Sequence, residues 1–108
     1  MAGGQTWSIT INASSPYFVA DVYGTDPGDP LQAENNDVIS WNNQTDDEHQ
    51  PYQTDENYNP TGPALCDVIA AYQSSFPGFV PNGYTATTTI YYYCQKHTDE
   101  HGQIVVNV

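Results

Sequence analysis

The side chains that could bind a soft metal ion are concentrated near the end of the chain. The sequence has three histidines and two cysteines, and three of these five residues, Cys94, His97 and His101, fall within an eight-residue run. A thiolate and imidazoles spaced this closely after a strand are typical of a site for a soft or borderline metal. A single histidine would more simply be a solvated surface residue, but this cluster favours metal ligation.

The second cysteine, Cys66, leaves an alternative open. A disulfide between Cys66 and Cys94 would stabilise the fold by about 3.5 kcal/mol through loop closure, which would be useful in an exported protein. It would also consume the thiolate and exclude the metal site. Because a structural crosslink does not account for His97 and His101, we expect Cys66 to be a free, buried thiol.

The elements that must position these residues are predicted to be strands. Thr6–Ile11 alternates polar and apolar side chains with period two, as a half-buried strand does. Aromatic and β-branched clusters between turns rich in Gly, Pro, Asn and Asp predict further strands. These further strands cover residues 17–23, 37–41, 84–94 and 103–107. Along the strand that ends at Cys94, alternation places Ile90 and Tyr92 on the same face as Cys94.

The middle of the chain, residues 51–83, is harder to assign because it holds five of the eight prolines. Within it only residues 64–72 could form a regular element, and their alanines favour a short helix over a strand. The whole pattern predicts an all-β Greek-key sandwich or small barrel. The length of 108 residues predicts one domain, residues 1–108.

The net charge of -12, with Lys96 the only base against 13 acids, restricts the partners. Nucleic acids and anionic membrane surfaces would meet no basic surface, so cations and basic proteins remain as possible partners.

No apolar run approaches the roughly 20 residues of a membrane span. The polar residues are mainly Asn, Thr, Gln, Ser and Asp rather than Lys and Glu, which is typical of many exported proteins. We therefore expect the mature part of a protein that is periplasmic, cell-surface or extracellular and whose leader has been removed.

Two stretches of the sequence resemble the cupredoxins, or blue copper proteins. Residues 37–49 (DVISWNNQTDDEH) are similar to the family's D-x-V-x-W-x-N-N strand and the loop to its first histidine ligand. Residues 92–97 (YYCQKH), followed by Gly102 and an apolar strand, are similar to its Y-Y-C-x-x-H motif and closing strand. The resemblance implies a cupredoxin-type sandwich of about seven to eight strands. It also implies that His49, Cys94 and His97 bind one copper ion, Cu(I) or Cu(II).

The fourth copper ligand departs from the family pattern. Family members usually carry a weak axial Met, but the only methionine here is Met1. We expect His101 in this position, with Glu100, a backbone oxygen, Gln or water as alternatives. A second histidine after the Cys-x-x-His resembles the red copper proteins of the nitrosocyanin type, which carry a carboxylate where this chain has His49. A donor harder than a thioether should favour Cu(II) and lower the reduction potential.

The acidic residues beside the expected ligands indicate how the protein would be used. They are Asp46, Asp47, Glu48, Asp99 and Glu100. A negative rim speeds the encounter with a basic redox protein, such as a c-type cytochrome or an oxidoreductase. We therefore predict a monomeric electron carrier rather than an enzyme, with the exposed edge of His97 as the electron port. The alternatives are an enzyme or sensor whose fourth position accepts nitric oxide or peroxide, and copper delivery or storage.

Overall fold

The computed structural model describes residues 4–76 and 78–108, and these residues form eight strands and no helix. The all-β prediction is therefore confirmed. The strands are β1 (Thr6–Ile11), β2 (Phe18–Ala20), β3 (Leu31–Glu34), β4 (Val38–Asn43), β5 (Pro51–Thr54), β6 (Pro60–Ala64), β7 (Thr88–Cys94) and β8 (His97–Asn107). In this part of the chain we find no helix long and apolar enough to cross a membrane.

The strands form two mixed sheets. The smaller sheet has the order β2-β1-β4, and the larger has the order β3-β8-β7-β5-β6. In the smaller sheet β1 runs parallel to β4 and antiparallel to β2, and in the larger sheet β3 runs parallel to β8. The antiparallel pairs β5–β7 and β7–β8 bring the start of β5, the end of β7 and the start of β8 to one place.

The core is built from alternate residues of the strands. In β7 the buried residues are Ile90, Tyr92 and Cys94, so the face predicted for these three side chains is confirmed. Tyr92 packs edge-on against Trp41 of β4, with ring centroids 5.5 Å apart. Gly102 of β8 lies directly beneath the Tyr92 ring, and a Cβ atom there would overlap the ring. The absence of a side chain at Gly102 is therefore what lets Tyr92 fill the core.

The helix predicted over residues 64–72 is wrong. Ala64 ends β6, and residues 65–76, which we call the strap, run beside β4 without regular structure. The backbone of Ile69 exchanges two hydrogen bonds with His49, of 2.8 and 3.2 Å, and Asn43 donates to the Gln73 carbonyl at 2.9 Å. Partners across the fold thus satisfy the strap's backbone, and a long-range pairing overrides the helix propensity of the alanines.

Asp37 ties together the end of the sandwich at which β3 ends and β1 and β4 begin. Its buried carboxylate accepts hydrogen bonds from the Trp7 indole at 2.8 Å and from the backbone N–H groups of Gln5 and Glu34 at 3.0 and 2.9 Å. Burial acts to raise the pKa of Asp37, but these three donors outweigh it and hold the pKa below its ordinary value.

Candidate metal centre

Two parts of the chain that are far apart in sequence meet at one end of the sandwich: the segment before β5 and the turn between β7 and β8. His49 lies just before β5, Cys94 ends β7, and His97 begins β8. In the pairing between strands, Cys94 lies opposite both Pro51 and His97. The β7–β8 register shifts next to Cys94, and such irregularities commonly redirect side chains beside functional sites. The fold thus brings together the three residues expected to bind copper.

The tightest group of donor atoms consists of His49, Cys94 and Glu100. His49 Nδ1 lies 3.3 Å from Cys94 Sγ and 3.2 Å from Glu100 Oε1. The three ligand atoms all lie within 4.8 Å of one another, and all three residues are buried. A thiol, an imidazole and a carboxylate therefore converge on one small volume.

His97 lies beside this group. Its ring centroid is 4.8 Å from that of His49, and its Nε2 atom is 3.1 Å from Asp47 Oδ2. The side chain is 30% exposed, although Nε2 itself is buried. The edge of the ring expected to serve as an electron port is thus partly covered by Asp47.

Two polar atoms at the centre lack hydrogen bonds. They are His97 Nε2, which lies 3.1 Å from Asp47 Oδ2, and Glu100 Oε1, which lies 3.2 Å from His49 Nδ1; both atoms are buried, and neither contact has hydrogen-bond geometry. A buried polar atom left without a hydrogen bond costs about 1–3 kcal/mol. A cation placed among these donors would supply the missing interaction, so the residues present fit a metal ion.

The structure does not bring His101 to this group. The His101 side chain is exposed, its ring stacks on Tyr58 with centroids 3.9 Å apart, and its Nε2 lies 3.1 Å from the Thr98 carbonyl oxygen. Successive residues of a strand face opposite ways, so Glu100 points inward and His101 outward. The alternative fourth residue, Glu100, therefore occupies the place that we expected of His101.

A hydrogen-bond chain fixes which nitrogen of His49 faces the cluster. Thr45 Oγ1 lies 2.9 Å from His49 Nε2 and donates its own proton to Asn43 Oδ1 at 2.7 Å or to the Asp47 carbonyl at 3.2 Å. A hydroxyl whose proton is used in this way accepts from Nε2–H, and in that tautomer the lone pair on Nδ1 points at Cys94 and Glu100. Burial and the nearby His97 lower the pKa of His49 and favour this neutral form.

The roles of Thr45 and Asn43 were not predicted from the sequence. Asn43 is fully buried, accepts from the Thr45 backbone N–H and hydroxyl, and donates to the carbonyl of Asp47. Alternation along β4 carries a signal for it, since Asn43 follows Ile39 and Trp41 on the inner face. A buried amide at the end of a strand needs partners, but the sequence does not show that Thr45 would be one of them.

Gln50 links the segments that carry His49 and Cys94. Its backbone N–H points at Cys94 Sγ, 3.4 Å away, its carbonyl accepts from the Gln95 N–H at 2.9 Å, and its side-chain amide donates to the Cys66 carbonyl at 3.1 Å. Burial raises the pKa of the Cys94 thiol, while N–H groups such as that of Gln50 oppose the shift. A bound cation would favour the thiolate directly.

The two cysteines are both free thiols in the structure. Burial raises the pKa of Cys66 to about 12, so this side chain stays protonated and unreactive at neutral pH. The sulfur of Cys94 is therefore free to act as a donor in the cluster. The arrangement agrees with the expectation of a free Cys66 and not with the disulfide alternative, although Cys66 is half-buried rather than buried.

The fold is found in copper proteins of known structure. No protein-family model and no curated protein matches the chain. A purple cupredoxin from Nitrosopumilus maritimus superposes with a TM-score of 0.68 at 13% identity, covering 96% of this chain and 100% of that protein. An amicyanin variant in its reduced Cu(I) form gives a TM-score of 0.63 at 18% identity over 99% of this chain and 86% of that one.

One part of a larger enzyme has the same fold. The McoA multicopper oxidase of Aquifex aeolicus matches 98% of this chain with 30% of its own length, at a TM-score of 0.57 and 18% identity. The chain therefore has the cupredoxin fold, and its cluster of His49, Cys94 and Glu100 fits a cupredoxin copper site. The resemblance of the two sequence motifs is confirmed at the level of the fold.

Proposed function

We propose that this protein binds one copper ion through His49, Cys94 and His97, with Glu100 at the fourth position, and carries single electrons between redox partners. The observation that carries the proposal is the buried group of His, Cys and Glu donor atoms within 4.8 Å at the end of a cupredoxin fold. Thiolate suits Cu(I) and imidazole suits both oxidation states. Copper would supply the one-electron redox couple.

The protein fold keeps the proposed ligand atoms in fixed positions. Cys94 lies at the end of a paired strand, and the ring of His49 is fixed by Thr45 and by the backbone bridge to Ile69. Partners of this kind orient metal ligands. Donors that stay in place when the charge changes lower the reorganisation needed for electron transfer, which is what a carrier requires.

Copper loading of the reduced apo-protein tests the proposal. We expect one equivalent of Cu(II) to produce an intense sulfur-to-copper charge-transfer band that Cys94→Ser abolishes. Cys66→Ser is the matched control, because it removes the other thiol and should retain the band. A colourless parent protein, or a band that depends on Cys66, would refute the assignment.

The surface beside the site suits a basic redox protein such as a c-type cytochrome. The loop before His49 carries Asp46, Asp47 and Glu48, and the one Lys, Lys96, lies 3.8 Å from Glu48. Next to this loop Tyr72, which is 64% exposed, donates its backbone N–H to Thr45. Acidic groups beside a site favour encounter with a positively charged partner. We further propose that the protein works outside the cytoplasm, as the predominance of uncharged polar residues suggests.

A second candidate function is redox chemistry on a small molecule. It is favoured by a cavity of about 200 Å³ lined by His49, His97 and Glu100 together with Ala13, Thr45, Asp46 and Asp47. Such a cavity could admit nitric oxide or peroxide to the fourth position. Addition of nitric oxide, which is uncharged, to the Cu(II) protein distinguishes the two: a shifted charge-transfer band favours this function, and an unchanged band favours the carrier.

A further inference from the structure

The cavity beside the cluster connects buried donors with acidic surface residues. We call this space, of about 200 Å³, the vestibule. Its inner wall contains His49 and Glu100, which are 2% and 7% exposed, and its outer wall contains the exposed residues Asp46 and Asp47. It therefore runs from solvent to the donor atoms.

The charge of the vestibule selects what can enter it. Three carboxyl groups, those of Asp46, Asp47 and Glu100, line it, and no Lys or Arg does. The one Lys of the chain lies beside Glu48. A narrow cleft lined by groups of one sign focuses the electric field and concentrates ions of opposite sign. This mouth repels anions and attracts metal cations.

Both ends of the vestibule carry groups that can interact with a cation. At the outer end, the backbone of Asp47 is held by the buried Asn43 amide at 2.7 Å, and its carboxylate lies 3.1 Å from His97 Nε2. At the inner end, Glu100 Oε1 is buried and makes no hydrogen bond. Donor groups are therefore available to a cation at both ends, the Asp47 carboxylate near solvent and Glu100 Oε1 inside.

We propose that the vestibule is the route by which the metal ion reaches the cluster, and that Asp46 and Asp47 capture the hydrated ion before the buried residues bind it. This inference rests on the proposed function, because it concerns the loading of the same site. The ion sheds its water as it moves inward, and the carboxylates at the mouth replace part of that hydration. Asp46 and Asp47 then determine the rate of loading rather than the identity of the ligands.

The test is the rate of metal uptake by the reduced apo-protein. Aqueous Cu(II) is mixed with Asp46→Asn, Asp47→Asn and Asp26→Asn in a stopped-flow instrument, and the growth of the charge-transfer band is recorded. Asp26→Asn is the control, because it removes one exposed negative charge in the turn between β2 and β3. Co(II), which does not oxidise thiols, repeats the comparison.

We expect each vestibule variant to load at least about threefold more slowly than Asp26→Asn at low ionic strength, with a weaker dependence of its rate on salt. Equal loading rates for Asp46→Asn and Asp26→Asn would refute the proposal that the metal ion enters through the vestibule. Because Asp46 does not share the contact of Asp47 with His97, that comparison is independent of any change in the His97 ring. A parent protein that develops no band would instead refute the proposed function.

Discussion

Glu100 and His101 are neighbours in β8 with opposite surroundings. Glu100 is 7% exposed and lies 3.2 Å from His49 Nδ1, whereas His101 is exposed and stacked on Tyr58. Both are harder donors than the thioether that usually fills the axial position in cupredoxins. Only the carboxylate of Glu100 lies where it could act on a metal held by His49 and Cys94.

Replacing Glu100 should therefore alter the reduction potential. A carboxylate favours Cu(II) over Cu(I), so Glu100→Met should raise the potential by at least about 60 mV, which corresponds to a tenfold change in relative affinity for a one-electron couple. Cyclic voltammetry of the copper-loaded protein measures it. His101→Ala is the matched control and should leave the potential unchanged; a larger effect of His101→Ala than of Glu100→Met would contradict the assignment.

Thr45 is a positioning residue whose hydroxyl accepts from His49 Nε2 at 2.9 Å. Thr45→Val keeps the size of the side chain but removes the acceptor, so the ring loses the partner that keeps its Nδ1 lone pair on the cluster. Loss of such a partner typically weakens metal binding about 10–100-fold. Competition with a copper chelator measures the affinity. Thr45→Ser restores the hydroxyl and should restore the affinity; failure to do so would mean that the methyl group is what matters.

Asp37 shows how one carboxylate joins three strands, and its contribution to stability should depend on pH. The pKa of folded Asp37 lies below the ordinary value of 3.8. The charged form is therefore favoured by folding, and its stabilisation is fully present above about pH 4 and is lost as the pH falls through the lowered, folded-state pKa.

Asp37→Asn should accordingly destabilise the apo-protein by about 1–3 kcal/mol at pH 7, since it weakens hydrogen bonds to Gln5, Trp7 and Glu34. Urea unfolding at pH 7 and at several values below pH 4 measures the difference. The gap between variant and parent should narrow as the pH falls. A gap that is constant across this range would show that the charge of Asp37 does not contribute.

The strands rich in apolar, aromatic or β-branched residues were predictable, including the three-residue β2, whereas β3, β5 and β6 were not. Thr6–Ile11 was predicted with its observed bounds, because each inward residue is apolar. In contrast β3, β5 and β6 have only four or five residues, and Pro60 and Pro63 in β6 are tolerated because that strand lies at a sheet edge. Their pairing depends on contacts that are distant in sequence.

The expectation of His101 rather than its alternative Glu100 at the fourth position came from a misplaced strand start. The last strand was predicted to begin at residue 103, since the preceding residues are polar, but β8 begins at His97. Alternation continued backward from the buried Ile104 would have placed Glu100 inside. His49, Cys94 and His97 could be predicted as neighbours because the two motifs preserve their spacing, whereas the direction of Glu100 depends on where the strand starts.

The distribution of charge over the protein governs its encounters. The net charge is -12, and acidic residues border the metal centre. Electrostatic steering is screened over about 30 Å at 0.01 M ionic strength and about 8 Å at 0.15 M. Electron transfer with a basic partner should therefore slow steeply between these two conditions.

Stopped-flow oxidation of the Cu(I) protein by a basic c-type cytochrome measures this effect. We expect the second-order rate constant to fall at least about tenfold over that range of salt. An acidic cytochrome provides the control, because its rate should rise with salt as repulsion is screened. A rate constant with the basic partner that does not change with salt would mean that the acidic rim plays no part in docking.

The proposed function requires that copper is bound by a sulfur and by imidazoles from two distant parts of the chain. X-ray absorption at the copper edge of the loaded protein tests this most directly, because it identifies the atoms around the metal. We predict one sulfur neighbour and two imidazoles, with the sulfur contribution absent in Cys94→Ser and present in Cys66→Ser. A copper ion surrounded only by oxygen and nitrogen in the parent protein would contradict the account.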